Sequence, residues 1–397
     1  SRPPRHAKQT PDLDQLLRLA LGLGESACHI EDNFWESRLA ALINRLLEDN
    51  DEATLNAALD QIHDKQERAY AALADQIEMR CESRTHTTMT TESSENRNGK
   101  VSNLLLFTAP LLAWSRFTIP AGPIAAPTLA NIRVHLQAHV FASEVRLGLA
   151  NFLFSPDQLP QSYCETAVLT DKLGKPALHS RDLHLDPTLM PTTAHFLSDT
   201  RYLIGVAVVP DGAALFRWQE DDGDRDEVLR QWRSQGGEAL RTLLPGCASE
   251  LLLPQSYHAG CRNADRLSRP YSLRASVAYL STTLNLEPAA LRAVVAPFYD
   301  QQLEEYRIGF TLRDSLQVVH GVVWPLLDAE DEASEMVGLI EAMLREIKVG
   351  EVLLLDHRLP LEYCDDCGAP LYPNPEGEPV HAELPEEQSA PVSRHLH

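Results

Sequence analysis

"LPQSY" occupies residues 159–163 and returns unchanged at residues 253–257, and "LPLEY" stands at residues 359–363. At ordinary residue frequencies Leu-Pro-x-x-Tyr is expected roughly 0.1 times in a chain of this length. The flanks repeat as well. Trp218 stands as far before Leu253 as Trp324 stands before Leu359, while Trp114 precedes Leu159 at a longer spacing, as though the first copy carried an insertion. In the second and third copies the tryptophan closes an expected β-hairpin, turning at "PDG" (210–212) and near "RDS" (313–315). A helix, a short apolar strand ("ELLLP", "EVLLLD") and the Leu-Pro-x-x-Tyr corner follow. A shared period is the signature of duplicated units, so we expect three related β-β-α-β units over residues 101–190, 191–285 and 286–373.

The stretch before these units has a different texture. Residues 1–10 are polar and read as a flexible arm. Thr10-Pro11-Asp12 combines a cap residue, a first-turn proline and early acids, which is the start signal of a helix. Apolar residues at three- and four-residue spacing then run through "FWESRLAALINRLLED" and "TLNAALDQIHDKQERAYAALADQIEMR" and predict a helical bundle over 11–83. The glycines of "ALGLGESA" (20–27) read as a helix cap. The Thr/Ser/Glu/Asn stretch at 84–100 has no apolar anchor and reads as an exposed or disordered linker. Residues 374–397, polar and proline-rich, read as a tail. The expected fold class is therefore α+β: an N-terminal helical bundle followed by three units packed with pseudo-symmetry.

Of 397 residues, 44% are hydrophobic and 23% charged, the balance of a globular protein large enough for two or three domains. Against 57 acidic residues stand 35 basic ones, a formal net charge of −22, which repels phosphate backbones and makes nucleic acid a poor partner. The longest apolar run, "LLLFTAPLLAW" (104–114), is too short to span a bilayer, which takes about 20 residues. "SRPPRHAKQTPDL" offers no apolar segment for secretion, so a cytoplasmic protein with no membrane association is expected. The seven cysteines (28, 81, 164, 247, 261, 364, 367) then read as buried thiols or metal ligands rather than a disulfide framework.

Two of them carry the sharpest signal. Aligning the second and third corners sets "YHAGC" against "YCDDC", with His258 on Cys364 and Cys261 on Cys367. One nitrogen and three sulfur ligands make a common tetrahedral zinc set, and two intervening residues let a tight turn aim both side chains at one ion. We therefore expect a structural zinc held by His258, Cys261, Cys364 and Cys367. A local set of Cys364, Cys367 and His381 with a further ligand is the alternative. A metal-free or redox-active dithiol is the third, although "GAPLYPNPEG" cannot open the helix that thioredoxin-like chemistry uses.

Other candidates are weaker. His135 and His139 share a helix face, but Leu136 stands where a metalloprotease has its glutamate, so partly exposed histidines are the plainer reading. "HSRDLHLD" (179–186) offers His179, Asp182, His184 and Asp186 for a divalent metal or an acid–base pair, against a solvated turn. The acidic run 219–227 lacks a calcium-loop pattern and reads as a solvated helix start. No phosphate-binding glycine loop, nucleophile elbow or kinase signature occurs. Tyr163, Tyr257 and Tyr363, with Trp114, Trp218 and Trp324, read as recurrent core residues.

The runs "HLQAHVFASEVRLGLANFLFSPDQLP", "RPYSLRASVAYL", "EEYRIGFTLR" with "VVHGVVWPL", and "EYCDDCGAPLYPNPEGEPVHAELPE" together resemble an uncharacterised bacterial protein family catalogued only as a domain of unknown function. The resemblance implies a bacterial cytoplasmic protein and brings no activity. The leading expectation is a zinc-stabilised, non-catalytic binding or scaffold protein. An enzyme with a pocket between the units, using His135, His139 and His184, is the alternative, as is a thiol redox switch at Cys364/Cys367.

Overall fold

A computed structural model describes residues 10–63, 65–88, 99–327 and 330–385. The chain is mixed α+β and forms two compact units, Ser1–Ala264 and Asp265–His397. Among the described residues no helix is long and apolar enough to cross a membrane.

The first unit opens with four helices: α1 (Pro11–Glu25), α2 (His29–Glu48), α3 (Glu52–Ile62) and α4 (Glu67–Glu82). The expected bundle is there, for the expected reasons. The Thr10 hydroxyl accepts from the Leu13 N–H (3.2 Å) and the Asp51 carboxylate from the Thr54 N–H (3.1 Å), satisfying amides that a helix start leaves open. Leu13, Leu16, Leu19, Leu39, Ile43, Leu46, Leu55, Leu73 and Ile77 meet in one buried cluster. Gly22 and Gly24 lie inside α1 rather than capping it. A Cβ at either would run into Trp35 or the Ala69 backbone, so their role is close helix packing.

The strand β1 (Ser83–Thr88) follows and pairs antiparallel with β2 (Lys100–Trp114) from Ser83↔Leu105 to Thr88↔Lys100. This corrects the expected linker. The Thr-rich stretch is exposed, but its β-branched residues suit an edge strand once a partner lies beside them. The rest of that stretch, 89–98, lies outside the described residues. Then come β3 (Gly122–Pro123), α5 (Ala126–His139), β4 (Arg146–Phe154), α6 (Tyr163–Ala177), β5 (Ser198–Pro210), α7 (Arg225–Gln231), α8 (Gly237–Arg241), β6 (Ala248–Leu251), β7 (Gln255–Ser256) and α9 (Tyr257–Leu284). Strands expected of two separate units share one sheet of order β1-β2-β5-β4-β3, with β6 and β7 also on β2. Phe107, Ala109, Leu111 and Ala113 of β2 pack with α5 and the α7–α8 segment, and on the opposite face Leu104 reaches Gly174 in α6.

The "PDG" turn does occur, with Gly212 at φ 77°, but no return strand follows. Both edges of β5 are already taken, by β2 and β4, so a hairpin partner has no hydrogen-bonding edge to join. Phe216 instead bridges Phe141, and Trp218 stacks on Phe216 with ring centroids 4.2 Å apart. Pro110 lies inside β2. Its carbonyl accepts from Leu252 N–H (3.0 Å), so its missing donor faces the same neighbour. Pairing breaks there, between β6 on Leu111–Trp114 and β7 on Phe107–Thr108, and the break is where the second Leu-Pro corner sits.

The second unit is built on β8 (Leu291–Tyr299), β9 (Leu303–Leu312), β10 (Val318–Pro325), α10 (Met336–Glu346), β11 (Glu351–Leu354), β12 (Leu359–Pro360), β13 (Tyr372–Pro373) and β14 (Pro379–Val380). Its sheet runs β10-β9-β8-β11, with β12 also parallel on β8, and β13–β14 form a separate antiparallel pair. The β9–β10 hairpin turns near "RDS" as expected. Leu273, Val277 and Leu280 pack with Val295, Ile308, Phe310, Trp324 and Ile340 in its core.

Buried in that core, His320 bonds through Nε2 to the Ser276 hydroxyl (3.0 Å), and burial holds its ring down at about 4. The unfolded chain takes up this proton near 6.5, the folded one only near 4. The stability contributed by the neutral ring is therefore full above pH 6.5 and lost as pH falls through 4, by about 3 kcal/mol in all. His320→Phe should flatten the pH dependence of unfolding in that window. An unchanged slope in chemical denaturation would refute the assignment.

Candidate metal centre

Cys364 and Cys367 sit on a tight turn that follows β12. Cys364 N–H donates to Ala369 carbonyl (2.7 Å) and Gly368 N–H to Cys364 carbonyl (2.8 Å), with Gly368 at φ 71°, where a side chain would be strained. Tyr363 bridges Pro370. The backbone N–H groups of Cys367 and Asp366 donate to the Cys364 sulfur and hold its thiol below the usual range. Sulfur so ringed by amides is prepared to be a thiolate.

The third group arrives by the β13–β14 hairpin. Asn374 organises its turn, its side-chain oxygen accepting from Glu376 N–H (3.0 Å) and Glu378 N–H (2.9 Å), with Gly377 at φ 84°. The chain therefore doubles back and sets His381 Nε2 3.2 Å from Cys367 Sγ. The ligand atoms of Cys364, Cys367 and His381 all lie within 4.8 Å of one another, the one such convergent set of histidine, cysteine and acidic groups among the described residues. A tetrahedral zinc has S···S edges of about 3.8 Å and S···N edges of about 3.5 Å, so this triangle needs little adjustment to hold a metal ion.

What fixes the turn is a buried cation that sequence reading missed. Arg307 on β9 is 0% exposed. Its Nη1 donates to the carbonyls of Glu362 (2.6 Å) and Leu371 (2.8 Å), one at each end of the turn. Its Nε pairs with Glu305 (2.6 Å), and its guanidinium lies over the rings of Phe298 (4.4 Å) and Tyr363 (5.0 Å). Beneath the hairpin, Gly309 and Gly321 are cross-strand partners. A Cβ at Gly309 would strike the Pro373 carbonyl, and one at Gly321 the Tyr372 ring. Glycine inside a strand marks close backbone approach, and "EEYRIGFTL" and "VVHGVVWPL" carry that signal in the sequence.

The other corners serve differently. Tyr163 and Tyr257 each begin a helix, α6 and α9, and a glutamate from the bundle caps each start. Glu52 accepts from Tyr163 N–H (3.2 Å) and Cys164 N–H (2.9 Å), and Glu82 from His258 N–H (2.9 Å). Burial pushes the Glu82 carboxyl up to about 7. His258 and Cys261 are thus on the first turn of α9, in the first unit, whereas Cys364 and Cys367 are in the second. The His258 ring lies against Tyr257 (centroids 5.1 Å) and Tyr163 (6.0 Å), and burial lowers its pKa.

His135 and His139 stack 5.7 Å apart on α5, and burial together with His135 lowers the pKa of His139. Of the 179–186 group, Asp182 pairs with Arg133 and accepts from Leu149 N–H (2.9 Å), His184 Nδ1 meets the Asn151 amide (3.2 Å), and Asp186 caps Thr188 (2.9 Å). Asp224 caps α7, as a solvated helix start does.

A family model covers residues 1–395, from the bundle through this hairpin. The chain belongs to the family described as Protein of unknown function (DUF2863). No curated protein and no solved structure matches it.

Proposed function

We propose that the protein is a zinc-stabilised, non-catalytic binding or scaffold protein whose second unit is completed by metal at Cys364, Cys367 and His381. The observation that carries this reading is the convergence of two sulfurs and one nitrogen on a turn held at both ends by a buried arginine. Thiolate and imidazole donors suit zinc over magnesium or calcium. The set provides three ligands, leaving a fourth vertex for another donor.

The four-ligand set His258, Cys261, Cys364 and Cys367 is the competing proposal, carried by the aligned corners of the sequence. We propose as well that the three Leu-Pro-x-x-Tyr corners are copies of one ancestral corner, since two of them open helices under a glutamate from the bundle. The third would have exchanged its helix for the metal turn.

Zinc content per chain, measured on protein purified without chelator, separates the readings. About one zinc is expected, lost in Cys364→Ser and His381→Ala with a fall in Tm, and retained in His258→Ala. Loss in His258→Ala with retention in His381→Ala would transfer the site to the four-ligand set. No zinc in the parent would refute both and leave the Cys364/Cys367 pair as a dithiol.

A further inference from the structure

In a chain of net charge −22, the depression beside the end of α6 carries the opposite sign. Its volume is about 790 Å3, and Arg133, Lys175, His179, Arg181, Asp182 and His184 line it. The one acid among them is already neutralised, because Asp182 pairs with Arg133 and accepts from the Leu149 N–H. Lys175 and Arg181 are exposed and have no acidic partner among the described residues.

We propose that this depression binds a small molecule bearing a diphosphate group. The backbone that carries the cations is fixed. Leu183 bridges Ala150 of β4, Leu183 N–H donates to Leu149 carbonyl (2.9 Å), and Asn151 N–H to Leu183 carbonyl (3.0 Å). A Cβ at Gly148 would strike Ala177 and the Arg181 carbonyl, so this loop lies flat on the sheet. Helix C-termini ordinarily repel anions through their open carbonyls. Here several carbonyls are occupied: Gly174 by Leu178 N–H (3.1 Å), Pro176 by His179 N–H and Arg181 N–H (3.0 Å each), Leu178 by Arg146 (2.6 Å) and Ser180 by Arg133 (3.4 Å). The Arg133 Nε–H is buried with no partner among the described residues, a donor still to be satisfied.

Guanidinium and ammonium groups recognise phosphate oxygens, the first in a planar fork and the second as a point charge. The volume exceeds that of a bare phosphate and suits a phosphorylated metabolite. A long polyanion is disfavoured by the acidic remainder of the surface, whereas a small one stays within the Debye length, about 8 Å, of the cationic patch. The plainer role of such residues is to sit near a helix end as solvated charges, which bind no anion at a fixed stoichiometry.

Pyrophosphate titrated into the full chain by calorimetry at low ionic strength should show one saturable site. The double variant K175E/R181E should weaken it about 100-fold, the loss of two charge-assisted contacts. R345E/K348E, an equal charge change in the second unit, should weaken it by no more than about threefold. Cys364→Ser should leave it intact, since the depression belongs to the first unit. Absence of saturable binding overturns the proposal, as does binding undiminished in K175E/R181E. Equal weakening in both double variants overturns it too, because it would show general charge attraction.

Discussion

Arg307→Ala should destabilise the second unit by about 3–5 kcal/mol and release the Cys364–Gly368 turn, the cost typical of removing one partner of a buried ion pair. The change leaves the Glu305 carboxylate without its cation and strips the carbonyls of Glu362 and Leu371 of their shared donor. It also opens a cavity between the rings of Phe298 and Tyr363. An exposed pair gives the comparison. Arg345 and Glu341 face solvent on α10, the arginine side chain 67% exposed, and Arg345→Ala should cost no more than about 0.5 kcal/mol. Denaturant unfolding of both variants, with zinc content measured alongside, checks the difference. A cost for Arg307→Ala as small as that for Arg345→Ala would mean that the turn stands without its buried anchor.

Gly309→Ala should cost about 1–3 kcal/mol and lift the hairpin carrying His381. The new methyl meets a carbonyl oxygen of the backbone at Pro373, which has no rotamer to escape into. Its cross-strand partner Gly321 faces the Tyr372 ring, so the sheet offers no slack beside it. Neither glycine has positive φ, so crowding rather than backbone strain sets the cost. Gly338 in α10 has nothing near its missing Cβ, and Gly338→Ala should stabilise by about 0.5–1 kcal/mol. Amide exchange across 372–380 should quicken in Gly309→Ala alone. If the two variants behave alike, the hairpin is not seated on those strands.

The helices were legible because their signals are local. A cap, an early proline and apolar residues at three- and four-residue spacing act through neighbours in the chain, and Thr10, Asp51 and the leucines of α1 to α4 do what that pattern predicts. The Cys364/Cys367 pair was legible for the same reason, since two intervening residues and a following glycine suffice to specify the turn. The weaker half of the site was harder to read. His381 joins only because the chain reverses at Asn374–Gly377, and its separation from Cys367 carries no motif.

Strand pairing escaped the sequence because an edge is a property of the whole sheet. "PDG" turns as its residues demand, yet forms no hairpin, since β2 and β4 already hold both sides of β5. The threonines of 83–88 read as linker until β2 gives them a ladder. The two identical "LPQSY" corners open helices, while "LPLEY" opens the tight turn of Cys364 and Cys367, although all three share the same proline step. Sequence by itself determined the bundle's helices and the thiol pair, set by residues within a few positions of one another, and the acidic charge, a sum that needs no fold. Tertiary structure alone decided which strands share a sheet, that Arg307 lies buried beneath the turn, and that His381 meets Cys367, because each depends on groups that only folding brings together.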